Sequence, residues 1–243
     1  MTVAVTKRLT GRIAAENIKL MAVPRAPQGA VERLIALGDP TGIISDTMDE
    51  LGIPSGVIGA SVLRPTIPGR TIAGPALTVR NILQRIDPLE GARRQVNRMA
   101  EFEAHNLAQP GDVLVIQGVA GVSSMGGVSA SIGKRQGEAG AIVDGAVRDI
   151  DHSRGIGYPV WSSSVSPMTG KWRIETLAVN KPVTIAGVAV KPGDLVIADE
   201  VGVCFIPYPL AADVLAVAQR LMHSEKERLQ KLAAGISLPD YVK

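Results

Sequence analysis

Two short runs carry no polar residue at all, Val113-Leu-Val-Ile116 and Ala141-Ile-Val143, and a Gly/Ser-rich loop and a helical segment lie between them. A strand that is apolar on both faces has to be covered on both, so its sheet must lie between other layers. Strands joined through a helix run parallel. These runs therefore restrict the chain to a layered α/β architecture. Pro110-Gly111-Asp112 supplies a tight turn into the first run, and residues 128–136 read as the intervening helix. A short helix around residues 149–155 leads to a third strand that begins at Pro159-Val160-Trp161.

The flanks are read the same way. Residues 1–28 form an irregular arm, and Val31, Leu34 and Ile35 then recur at helical spacing. Asp39-Pro40 opens a helix carrying Ile43, Ile44, Met48 and Leu51, which Gly52 stops. Leu77-Thr-Val-Arg80 alternates as a strand, and residues 89–108 read as one helix with Val96, Met99, Ala100 and Leu107 on one side. The last third is β-rich, with strands expected at 183–190, 195–197 and 203–206. A final amphipathic helix presents Leu210, Val214, Val217, Leu221, Leu229 and Leu232 on one face. No linker-like stretch divides the chain, so residues 1–243 are read as a single domain.

Composition narrows the function classes. Hydrophobic residues make up 46% of the chain, but there are only two tryptophans, three tyrosines and two phenylalanines. The core must be aliphatic, and little is left for the stacking platform of a single-strand nucleic-acid binder. The net charge of +3 neither demands nor excludes an anionic partner. Cys204 stands alone, which rules out an internal disulfide and fits a reducing compartment. The longest uncharged stretch, 113–133, holds five glycines and four serines and makes a poor lipid-facing helix. Lys7, Arg8, Arg12, Glu16 and Lys19 interrupt any signal-peptide core. The expectation is a soluble, cytoplasmic protein with no membrane partner.

The chemistry concentrates where the apolar runs end. Gly118, Gly121, Gly126 and Gly127 follow the first run and precede a helix, whose first N–H groups are unpaired donors suited to a carboxylate or phosphate. By spacing alone, the loop reads equally well as a flexible connection. Gly133-Lys134 is followed by Arg135, so this is no Walker loop, and no GxGxxG pattern is present. Arg148-Asp149 lies just past the second run, and strand carboxyl ends are where open α/β sheets bind ligands. Arg148 offers a planar fork for a carboxylate, and Asp149 could hold a hard divalent cation. Lys171, beside Trp172 and Arg173, reads as a solvated loop residue, and Cys204 reads as core. His105 and His223 read as surface residues, Ser162-Ser163-Ser164 as strand or turn filler, and Arg93, Arg94 and Arg98 as a solvated basic face.

Twenty residues separate Gly127 from Arg148, giving G-x20-R-D. This resembles the family of 4-hydroxy-4-methyl-2-oxoglutarate aldolases and regulator-of-ribonuclease-activity-A-like proteins. So do the blocks Gly42-Ile-Ile-Ser-Asp-Thr-Met-Asp-Glu-Leu-Gly52, Gly69-Arg-Thr-Ile-Ala-Gly-Pro-Ala76, Gly145-Ala-Val-Arg-Asp149 and Pro192-Gly-Asp-Leu-Val-Ile-Ala-Asp199. The resemblance covers roughly residues 30–207, with the arm and the C-terminal helix as extensions. It implies an α/β/β/α sandwich related to the swivelling phosphohistidine-type domain, assembled as a homotrimer or hexamer with sites between subunits. By the same resemblance, Gly126, Gly127, Val128 and Ser129 bind the pyruvate-like end of a 2-oxo acid and Arg148 contacts the substrate. Asp149 holds Mg²⁺ or another divalent cation such as Mn²⁺, and Asp46 reaches in from a neighbouring subunit. The implied activity is metal-dependent C–C cleavage of a 4-hydroxy-2-oxo acid to pyruvate, with oxaloacetate decarboxylation chemically natural. The alternative within the family is a non-catalytic regulator that binds and inhibits a ribonuclease. Two positions depart from the aldolase pattern: His152 stands where R-D-x2-E/D has an acid, and Gly127 stands where the aldolases tend to have one. His152 falls inside the motif and is a candidate site residue for that reason.

Overall fold

Helices α1 (Ala30–Ile35) and α2 (Pro40–Glu50) precede strands β1 (Val57–Gly59), β2 (Arg64–Pro65) and β3 (Ile72–Leu83). Helices α3 (Pro88–Arg93) and α4 (Glu101–Leu107) lead to β4 (Val113–Gln117), β5 (Ser123–Met125) and α5 (Gly127–Gln136). Then come β6 (Gly140–Val147), α6 (Ile150–Gly155), β7 (Val160–Val165) and β8 (Ile174–Val179). Strands β9 (Val183–Ile185), β10 (Val188–Val190), β11 (Leu195–Ala198) and β12 (Gly202–Ile206) follow, and helices α7 (Ala211–Ala233) and α8 (Leu238–Tyr241) come last. The structure, a computed structural model, describes residues 7–54 and 56–242.

Strands β3, β4, β6 and β7 run parallel as expected, with β2 antiparallel against β7 and β8 antiparallel against β3. A second ladder, β1–β12–β11, is antiparallel and joins the start of β3. Strand β3 pairs with β11 through Ile72–Pro75 and with β4 through Ala76–Arg80, so one long strand passes from one sheet into the other.

Side-chain alternation then sorts the apolar residues into layers. Val113 and Val115 of β4 meet Val196, Ala198, Val203 and Phe205 of β11 and β12 in a central cluster that includes Trp161. On the opposite face of β4, Leu114 and Ile116 pack with Leu107 of α4, Ala130 of α5 and Ile13 of the arm. On the opposite face of β11 and β12, Leu195, Ile197, Cys204 and Ile206 pack with Leu34, Ile44 and Val214 from α1, α2 and α7. Helix, sheet, sheet, helix is the α/β/β/α sandwich. Burial of each of Leu114, Ile116 and Ile142, all fully enclosed, is worth about 1.5–3 kcal/mol.

Three expectations are corrected. Residues 89–108 do not form one helix: α3 and α4 are separated because Arg98 bridges to Glu175 of β8 and its carbonyl accepts the Thr176 N–H, while Gln95 adopts a left-handed conformation. Sheet pairing there outweighs helical periodicity. The run 183–190 is a hairpin, folded at Ala186 and Gly187, both with positive φ. Helix α7 buries Ala211, Val214, Leu215 and Ala218, but Leu229 and Leu232 further along are exposed. No helix among the described residues is long and apolar enough to cross a membrane.

Candidate functional site

The segments that follow β4 and β6, residues 123–129 and Arg148-Asp149, contribute to the wall of a cleft of about 390 Å³. After β4 the chain runs through β5, which pairs in parallel with the end of β6, and α5 then starts at Gly127. The first bond of α5 runs from the Ala130 N–H to the Gly126 carbonyl, which leaves the N–H groups of Gly127, Val128 and Ser129 without intrahelical partners. The Gly127 N–H donates to Asp149 Oδ2 at 2.9 Å. Those of Val128 and Ser129 remain available, and the helix dipole favours an anion beside them.

Asp149 caps α6 in a left-handed conformation, φ 55° and ψ 42°, which costs a non-glycine residue on the order of 1 kcal/mol. The bond from Gly127 helps to hold it there and keeps the carboxylate beside the start of α5. Arg148 Nε lies 3.7 Å from Asp149 Oδ2, and both side chains are about half exposed. The packing is close enough to require glycine at 126: a Cβ there would lie 2.6 Å from Asp149 Oδ2 and 3.1 Å from Arg148 Nε. A Cβ on Gly127 would lie 3.1 Å from the His152 ring and 3.4 Å from Asp149 Cβ. The two departures from the aldolase pattern thus occupy one place, since the His152 ring takes the room that a side chain at 127 would use. His152 Nε2 lies 2.7 Å from Ser131 Oγ, which in turn bonds the Gly127 carbonyl.

Gly126, Gly127, Val128, Ser129, Arg148 and Asp149 therefore line a single cleft. His152 sits beside it, in a depression on the outer side of α5. Asp46 lies elsewhere, exposed on α2 in a hollow shared with Met222 and Lys226 of α7.

Sequence reasoning missed three residues of the cleft wall. Arg12 of the arm lines the cleft. It is positioned by its neighbours Thr10 and Gly11, which donate three N–H and hydroxyl bonds within 3.1 Å and a longer one to Glu103. Burial alone would raise the Glu103 carboxyl, but the bonds from Thr10, Asn106 and Gly11 outweigh it and bring its pKa below the ordinary value. Lys171 is exposed as expected but also lines the cleft, with its ammonium 5.5 Å from the centre of the Trp172 ring. Glu101, 9% exposed at the start of α4, presents a carboxyl to the same space, and burial raises its pKa despite its own backbone N–H and the charges of His105 and Arg12.

His105 corrects the reading as a surface residue: it is fully buried. Its Nδ1 lies 2.8 Å from Glu138 Oε1 and its Nε2 lies 2.8 Å from Ser129 Oγ, and Tyr158 donates its hydroxyl to Glu138 Oε2 at 2.6 Å. Burial, reinforced by the Glu138 carboxylate, pushes the Tyr158 phenol well above its usual range, so it stays a donor. A polar chain thus runs from the interior to Ser129 at the cleft. Its local signal is the smallness of Ser129, Ala130 and Gly133 on the buried side of α5, which lets α4 approach. Cys204 is core as expected, with burial pushing its thiol up to about 12.

Comparison with known proteins agrees with this architecture. A protein of Halalkalibacterium halodurans, provisionally named as a 4-hydroxy-4-methyl-2-oxoglutarate aldolase, is 28% identical over 199 residues, covering 81% of this chain and 86% of that protein. Protein DlpA of Legionella pneumophila is 28% identical over 195 residues, but the match spans 80% of this chain and only 30% of DlpA. A solved structure of RraAS2 from Streptomyces coelicolor, described as an unusual member of the RNase ES inhibitor RraA protein family, superposes with a TM-score of 0.70 at 28% identity. That match covers 86% of this chain and 98% of the other. The model of the RraA-like family described as Aldolase/RraA matches residues 41–205, a span running from α2 to β12 and including the whole segment from Gly126 through α5 and β6 to Asp149. With most of the chain accounted for by that match, it belongs to the Aldolase/RraA family.

Proposed function

We propose that this chain is a divalent-metal-dependent lyase that cleaves the C3–C4 bond of a 4-hydroxy-2-oxo acid to release pyruvate, with oxaloacetate decarboxylation as a side activity. The observation that carries this reading is the convergence of the free α5 N–H groups, Arg148 and Asp149 on one cleft. A 2-oxo acid offers a carboxylate that matches the Val128 and Ser129 N–H groups. Its keto oxygen, where enolate charge develops, suits the fork of Arg148. Asp149 accepts from Gly127 through Oδ2 only and leaves Oδ1 free, which suits a cation that keeps most of its waters and takes one carboxylate. No group of three or more His, Cys, Asp or Glu residues gathers into a metal cage among the described residues. Asp149 would hold Mg²⁺ or Mn²⁺, and the bound ion supplies Lewis acidity toward the keto and carboxylate oxygens.

We propose further that the active form is a homotrimer or hexamer in which Asp46 serves the cleft of a neighbouring subunit. Val128, exposed in the cleft wall, and Val165, exposed in the adjoining depression beside Arg148 and Asp149, support a covered site. The test is pyruvate release from 4-hydroxy-2-oxo acids and from oxaloacetate, with Mg²⁺ and with a chelator. Metal-dependent release supports the lyase. The description of the Streptomyces relative favours the regulator as the second reading, and release of no pyruvate together with firm ribonuclease binding would decide for it.

A further inference from the structure

The geometry points to Glu101 as the group that carries the proton in this cleft, taking it from the 4-hydroxyl of the substrate and returning it to C3; this rests on the lyase reading above. Six carboxylate side chains are buried among the described residues: Glu101, Glu103, Asp112, Glu138, Asp194 and Asp199. Five are held by other residues. Glu103 is held by Thr10 and Gly11, Asp112 by Arg25 and Gln109, Glu138 by His105 and Tyr158, Asp194 by Lys191 and Tyr208, and Asp199 by Thr41. Glu101 alone accepts no hydrogen bond from another residue and bonds only its own backbone N–H. A carboxyl at the cleft wall that is held by nothing beyond its own N–H is open to a partner from the cleft. It faces the cleft that holds Arg148 and Asp149, where a substrate hydroxyl would complete it.

The chemistry needs such a group. As the C3–C4 bond breaks, its electron pair forms the C2–C3 double bond and the C2 carbonyl pair moves onto the keto oxygen, while C4 becomes a carbonyl and the 4-hydroxyl gives up its proton. Arg148 cannot accept that proton. Glu101 as carboxylate accepts it, and the carboxylic acid so formed returns it to C3 of the enolate, which regenerates the carboxylate and yields pyruvate. The charged groups around it are Arg12 of the arm, His105 on its own helix, and Arg148, Asp149 and Lys171 on the other cleft walls. Burial lifts its pKa from the ordinary 4.5 toward the range useful to a group that must both take and give a proton. The base form appears only above the raised pKa, so the acid limb of kcat/KM lies above pH 4.5.

Decarboxylation of oxaloacetate breaks C3–C4 with loss of carbon dioxide and removes no hydroxyl proton. It leaves the same enolate, which also needs a proton at C3 but can take it from water after release. Carbon dioxide release from oxaloacetate therefore separates the taking of the hydroxyl proton from a structural role. In Glu101→Gln, cleavage of a 4-hydroxy-2-oxo acid should fall about 10²–10⁴-fold, while carbon dioxide release from oxaloacetate, which precedes any proton return to C3, should fall by far less, under about tenfold. Glu101→Asp should retain the acid limb at a reduced rate, and Glu101→Gln should lose it. Unchanged cleavage in Glu101→Gln, or an equal loss of both activities, overturns the role of Glu101 and leaves the lyase reading intact, because the wild type still cleaves. A wild type that releases pyruvate from neither substrate overturns the lyase reading, and the role of Glu101 with it.

Discussion

The demand at position 148 is for a planar fork rather than for a charge. Arg148 sits at the end of β6 with its guanidinium half exposed and only a 3.7 Å approach to Asp149, so its donors are free for a ligand. Lysine would keep the charge and lose the two-pronged geometry. Removing one such donor from developing enolate charge typically costs on the order of 10²–10³ in turnover. Arg148→Lys should therefore lower kcat for pyruvate release by about that factor, with melting temperature unchanged. Equal pyruvate release from the variant and the wild type would make Arg148 a structural residue. Position 127 shows a different constraint, one of space: a side chain there meets the His152 ring, so restoring an acid at 127 alone presses on His152.

Among the elements, α5 depends on what its back face leaves empty. A Cβ on Gly133 would lie 2.6 Å from Glu138 Oε2 and 2.7 Å from the Tyr158 hydroxyl, and both belong to the buried chain that ends on Ser129. Gly133→Ala should cost about 1–3 kcal/mol through that displaced pair, because a buried acceptor left unsatisfied loses its desolvation compensation. At this chain size each kcal/mol lowers the melting temperature by about 2–4 °C. Gly155→Ala, whose Cβ would meet nothing within 4 Å, is the control and should be neutral or stabilising. A Gly133→Ala protein that melts with the wild type would show that the pair has room to move. The same elements divide what a single sequence reveals from what it hides. Strands β4 and β6 and helix α5 were legible because their signals are local: apolar runs, a turn and a glycine loop. The break between α3 and α4 was not, because Arg98 is recruited by Glu175, 77 residues away. Nor was the burial of His105, whose partners stand 24 and 33 residues further along the chain. A polar residue reads as exposed until its polar partner is known.

For the whole molecule, the question is whether one chain holds a complete site. Arg148 and Asp149 line the cleft, and Asp46 lies in a separate hollow against α7, so within one chain they serve different places. If Asp46 acts across a subunit boundary, closed cyclic assembly brings its hollow to the neighbour's cleft, and every site draws on two chains. Complementation tests this directly. Asp46→Asn and Arg148→Ala should each be nearly inactive alone. Co-refolded one to one, they form mixed rings in which some clefts carry Arg148 from one chain and Asp46 from the next. Random mixing gives both intact residues in about a quarter of the sites, so activity should return to about a quarter of wild type. Light scattering should give a mass that is a multiple of three 25.4 kDa chains. A mixture as inactive as its parents, in particles of that mass, would show that Asp46 does not complete a neighbour's site. A 25.4 kDa particle would remove the boundary altogether and leave catalysis to the groups that one chain brings to its own cleft.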